Sequence, residues 1–120
     1  MRGVSVKGER TILLLENDEN DVFVFRRALL TLDFKGQMRV TSNIREAREY
    51  LQGIGPFSDR RYFPLPDLIV ADFGLGGERG SDFVRWLKGE PDYAHIPVVF
   101  FSGTLKYNQA PRSCRNSTCL

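Results

Sequence analysis

The sequence predicts an α/β fold, a doubly wound parallel sheet made by a single domain of about 120 residues. Two observations carry this expectation. Short apolar runs alternate with stretches in which apolar residues recur at helical spacing, giving the order β-α-β-α-β-α-β. The runs are also apolar on both sides rather than alternating, as strands are when helices cover both faces of a parallel sheet.

The first run, Thr11-Ile12-Leu13-Leu14-Leu15, stops at the acidic cluster Glu16-Asn17-Asp18-Glu19-Asn20-Asp21. Val22, Phe25, Leu29 and Leu32 then recur as one buried face of a helix, and Gly36 closes that region. Met38 to Thr41 is the second strand. Asn43 offers an N-cap with Glu46 three residues on, ahead of a stripe of Ile44, Ala47 and Leu51. Residues 53–66, with two glycines and three prolines, predict a loop longer than compact α/β units use. Asp67 to Ala71 is the third strand and runs into Asp72. A glycine-rich turn (Gly74, Gly76, Gly77, Gly80) leads to a helix through Lys88, capped by Ser81 or Asp82. Ile96 to Phe101 is the fourth strand, followed by Ser102-Gly103-Thr104.

Composition excludes several classes. Hydrophobic residues make 42% and charged residues 27%, the balance of an ordinary globular chain. The net charge of +2 comes from the end of the chain: no acid follows Asp92, whereas Lys106, Arg112 and Arg115 do. The remainder has no basic surplus to suggest nucleic acid or an anionic membrane. There is no apolar run of membrane-spanning length and the first ten residues lack a signal peptide's apolar core, so a cytoplasmic location is expected. Cys114 and Cys119 have no companions to complete a zinc site and read as incidental thiols.

In an open parallel sheet, ligands sit beyond the C-terminal strand ends, at the switch point between the first and third strands. Asn17 and Asp18, Asp72 and Ser102 stand at those ends, so three distant segments aim polar groups at one crevice. A carboxylate can act as a nucleophile toward phosphorus. The phosphoryl charge then calls for a divalent cation held by one or two carboxylates, with a hydroxyl beside it. Asp72 as acceptor, Asp18 as metal ligand and Ser102 as hydroxyl donor supply most of that set. Each also has a plainer reading: Asp72 as a strand-end acid, Asp18 as an N-cap, Ser102 as a turn residue. Glu16 and Asp21 read as solvated or capping groups, Trp86 as packing, and His95 as a loop residue rather than a base.

On these residues the chain resembles response-regulator receiver domains. ILLLENDENDVFVFRRAL is similar to their opening, LPDLIVADFGLGGERGSDFVRWLK to their phosphoacceptor segment, and HIPVVFFSGT to their fourth strand; the likeness spans residues 10–105. It implies a flavodoxin-like (CheY-like) fold with strand order 2-1-3-4-5 and a non-enzymatic phosphoacceptor that uses Mg2+. Its implied partner is a histidine kinase or phosphotransfer protein, and its output passes through protein contacts. The resemblance makes Asp72 the phosphoacceptor, Asp18 the main metal-binding acid, and Gly74 the donor of a backbone carbonyl to the metal. Ser102 becomes the switch hydroxyl and Gly80 the turn glycine before the third helix.

Three departures qualify it. Asn17 occupies a position usually held by an acid, which weakens the metal site. Gly76 replaces a usual proline. Residues 106–120 contain no apolar fifth strand and no Lys-Pro, so this stretch reads as a divergent tail, truncated or replaced, without the normal fifth strand and helix. The fourth strand is then expected to be an open edge, available for homodimer formation through that strand or the tail. The rival reading is a degenerate receiver-like interaction module that is not phosphorylated. Two motifs mislead: Asp72-Phe73-Gly74 lacks every other kinase element, and the glycines from Gly74 to Gly80 miss the dinucleotide spacing.

Overall fold

The structure, a computed structural model, describes residues 9–72, 80–101 and 118–119. Its elements are β1 (Thr11–Leu15), α1 (Glu19–Thr31), β2 (Gln37–Thr41), α2 (Ile44–Gln52), a 3-10 turn (Gly55–Phe57), β3 (Leu68–Asp72), α3 (Gly80–Lys88), β4 (Val98–Phe101) and β5 (Thr118–Cys119). All strand pairs are parallel and the order is β2-β1-β3-β4-β5, the doubly wound flavodoxin-like arrangement.

The apolar runs become central strands because both of their faces are covered. Leu13, Leu15, Ile69, Ala71, Val98 and Phe100 point to one side, where they meet α2 and α3 through Tyr50, Leu51, Phe83 and Leu87. Ile12, Leu14, Met38 and Val70 point to the other, against Val22, Phe25 and Leu29 of α1. This second layer is thinner, and no residue of α1 is fully buried. Leu32, expected on the buried stripe, instead caps the helix and is 76% exposed. The chain turns there, with Asp33 at φ 60°, so the helical period no longer holds its side chain to the sheet.

The expectation of an open edge at β4 is corrected by the tail. Thr118 and Cys119 lie in register with Val99 and Phe100, so a strand of two residues takes the fifth position. The sequence conceals it because two residues with polar neighbours show no strand period.

Asn43 caps α2 as expected: its side chain accepts the Glu46 N–H at 2.8 Å, while the Glu46 carboxylate accepts the Ser42 N–H at 2.7 Å. Gly53 ends the helix in the left-handed conformation, at φ 70°. The long loop that follows is held by Arg60, whose guanidinium donates to the carbonyls of Tyr50, Leu51 and Phe63 at 2.7–2.8 Å. Tyr50, Phe57 and Phe63 pack ring against ring beneath it. Hydrogen bonds from a charged donor are worth more than neutral ones, and here they also satisfy α2 carbonyls. Arg60→Ala should therefore lower the unfolding free energy by about 2–3 kcal/mol. Urea denaturation checks this; an unchanged midpoint would show that the loop does not brace α2. Trp86 is likewise a packing residue, lying between Phe83, Tyr93 and the Arg48 guanidinium.

Candidate functional site

The in-register pairing of β1 and β3 builds the site. Leu15 lies opposite Ala71, so the next residues along, Glu16 and Asp72, emerge side by side at the C-terminal edge of the sheet. Adjacent strands are about 4.8 Å apart, so two carboxylates there must interact. The ladder extends past β1 on its other side as well, through a bond from the Glu16 N–H to the Thr41 carbonyl at 2.9 Å.

This placement corrects the reading of Glu16 as solvated, while its capping reading holds, since it accepts the N–H of Asp18, the N-cap of α1. The Glu16 side chain is only 2% exposed. One oxygen, Oε2, accepts the Asp18 N–H at 3.0 Å, while Oε1 is buried without a hydrogen-bond partner. Burial, chiefly, pushes its carboxyl up from 4.5 to about 7; the Asp18 N–H opposes the shift and the negative charges of Asp72, Asp21 and Asp18 add to it. The sequence did carry a signal for this residue. Glu16 continues the side-chain parity of Ile12 and Leu14 directly after five buried strand residues, and so leaves the sheet before the chain has turned away.

Asp18, the acid expected to bind metal, is exposed and forms the N-cap of α1. Its Oδ1 accepts the N–H groups of Asn20 and Asp21 at 2.8 and 3.4 Å. Asn17 is exposed beside it and, with Glu16, Glu19, Arg26 and Ser42, lines a cleft of about 290 Å3 between α1 and the end of β2. Asp72 is half-buried at the end of β3. Gly80 starts α3, tight against Phe100. Gly74, Gly76 and Ser102 lie outside the described residues. Among the described residues, no three His, Cys, Asp or Glu side chains form a metal-binding group, and no helix is long and apolar enough to cross a membrane.

The parallel sheet in the order β2-β1-β3-β4-β5 has the flavodoxin-like architecture, with Glu16 and Asp72 at its switch point. No family model matches the chain. It is 28% identical over 90 residues to the response regulator Rcp1 of Synechocystis, a match that covers 75% of this chain and 59% of that relative's length. The phosphorylated cyanobacterial phytochrome response regulator RcpA has the same fold, with a TM-score of 0.75 at 24% identity over 92% of this chain and 78% of its own. The Mn2+-bound form of Rcp1 gives the same TM-score of 0.75 at 24% identity, covering 92% of this chain and 78% of that one. A response regulator in red light signaling of R. palustris reaches 0.79 at 19% identity, covering 92% and 79% of the two chains. In sequence and in fold, then, the chain is similar to response-regulator receiver domains.

Proposed function

We propose that this chain is a phosphoacceptor that takes a phosphoryl group on Asp72 and signals through protein contacts. The observation that carries the reading is the pairing of Glu16 with Asp72 at the strand ends, one Glu16 oxygen being buried without a partner. Burial that raises the Glu16 carboxyl to about 7 makes its negative charge costly there unless something positive belongs beside it. A divalent cation fits that pair, because Mg2+ is commonly held by one or two carboxylates with water and phosphate completing its shell. Glu16 and Asp72 would hold it, with the Gly74 carbonyl as a further donor. Asp18 would contribute charge from the rim, and Asn17 would leave the site one charge weaker. Bound there, the cation would neutralise the oxygens of the incoming phosphoryl group.

In the transfer, an Asp72 carboxylate oxygen forms a bond to phosphorus as the bond from phosphorus to the donor's leaving group breaks. The product is an acyl phosphate and the electron pair departs with the donor. Ser102 would donate its hydroxyl to a phosphoryl oxygen. With a histidine kinase or phosphotransfer protein as donor, the leaving group is an imidazole. The phytochrome association of the relatives makes a photosensor kinase the first donor to try. The protein is not itself an enzyme in this reading, and its place is the cytoplasm.

Incubation with a small phosphodonor and Mg2+, read by intact-mass spectrometry, should add one phosphoryl group. The adduct should be missing in Asp72→Asn and after chelation of the metal. Failure of wild type to take the group from either a small donor or a kinase would favour the unphosphorylated interaction module instead.

A further inference from the structure

We propose that the outer face of α1 is a self-complementary surface on which two copies of this chain pair antiparallel. Phe23, Val24 and Leu30 are 59%, 56% and 71% exposed, three large apolar side chains on one helix of 13 residues. Single exposed apolar residues are ordinary, but a cluster on one helix is not. The charges around the cluster identify its occupant. Glu19, Phe23 and Arg27 follow one another at intervals of four and so form a single stripe reading acid, aromatic, base. Glu19 and Arg27 are exposed, and among the described residues neither is engaged in an ion pair. The Arg27 guanidinium lies over the Phe23 ring at 5.7 Å.

Read from the opposite direction the stripe becomes base, aromatic, acid. A two-fold axis passing beside Phe23 therefore sets each Glu19 against the Arg27 of the second copy, with the two aromatic rings at the centre. This is the geometry of an isologous interface, in which every contact occurs twice. A surface meant for an acidic or a basic partner would carry one sign of charge; this one carries both in the order its own copy reverses. The β4 edge is paired with β5 at Val99 and Phe100, and α1 carries three of the large exposed apolar side chains among the described residues.

Sedimentation equilibrium of residues 1–120 over a wide concentration range tests the pairing, with circular dichroism to verify that each variant is folded. Wild type should show a reversible monomer–dimer equilibrium. Arg27→Glu should weaken it roughly tenfold or more, because each copy then sets like charges together twice. The double variant Glu19→Lys with Arg27→Glu should regain most of that loss, since the stripe is again self-complementary with its signs exchanged. Phe23→Ala should weaken association roughly thirtyfold, as removal of a central aromatic anchor does. Overturning results are a wild-type chain that stays monomeric at every concentration, or a dimer indifferent to Arg27→Glu and Phe23→Ala. A dimer that Arg27→Glu breaks and the double variant does not restore would also contradict the antiparallel pairing.

Discussion

Glu16→Gln is expected to make the folded chain more stable than wild type at pH 8 and nearly equal to it at pH 4. The sign follows from protons. The Glu16 carboxyl is raised from 4.5 to about 7 in the fold, so the folded state holds a proton that the unfolded chain releases at lower pH. The stability that this protonation contributes is complete below about pH 4.5 and is lost as the pH rises through about 7. Glutamine keeps the shape and stays neutral throughout. The difference should grow to the order of 1–3 kcal/mol at pH 8, allowing for solvent screening at the mouth of the cleft. Millimolar Mg2+ should shrink it, because a cation between Glu16 and Asp72 favours the ionised wild-type carboxylate and stabilises the fold by mass action. Thermal melts of both proteins at the two pH values, with and without Mg2+, measure this. Melting curves that shift in parallel with pH would show that Glu16 does not titrate in this range.

The second large effect is steric. A Cβ at Gly80 would lie 2.4 Å from the Phe100 ring, which is fully buried in β4 and has core neighbours on its far side. Gly80→Ala should therefore destabilise the chain by about 2–3 kcal/mol, in the range of overpacked cores, although alanine is the better helix former. The double variant Gly80→Ala with Phe100→Leu should lose less than the sum of its parts, since the smaller side chain yields the space. Additive losses in urea denaturation would mean that α3 moves as a whole to admit the methyl group. This close approach gives Gly80 a packing role in addition to the turn role that the sequence suggests.

Where one physical signal dominates, the sequence and the structure agree. Leu13 to Leu15 and Ile69 to Ala71 are buried because the parallel sheet is covered on both faces, and a continuous apolar run is the mark of such strands. Asn43 caps α2 because its bond to the Glu46 N–H is local and needs nothing else from the fold. What was not legible depends on distance. Glu16 is one acid in a cluster of four, and only the pairing of β1 with β3 separates it from its neighbours by burying it beside Asp72. Asp18, more prominent in the pattern, spends Oδ1 on its own helix. Leu32 keeps the helical period past the point where the helix stops, and period alone does not locate an end. The two-residue β5 exists only through its bonding to β4.

In the proposed transfer the acceptor is Asp72, the carboxylate at the end of β3. The most direct test is to reduce the phosphorylated wild-type chain with borohydride, which converts an acyl phosphate to the corresponding alcohol, and to map the altered residue by peptide mass spectrometry. Homoserine is expected at position 72, formed only when both phosphodonor and Mg2+ were present. Homoserine at Asp18 or Asp21, or a phosphoryl adduct that borohydride leaves intact, would contradict this expectation.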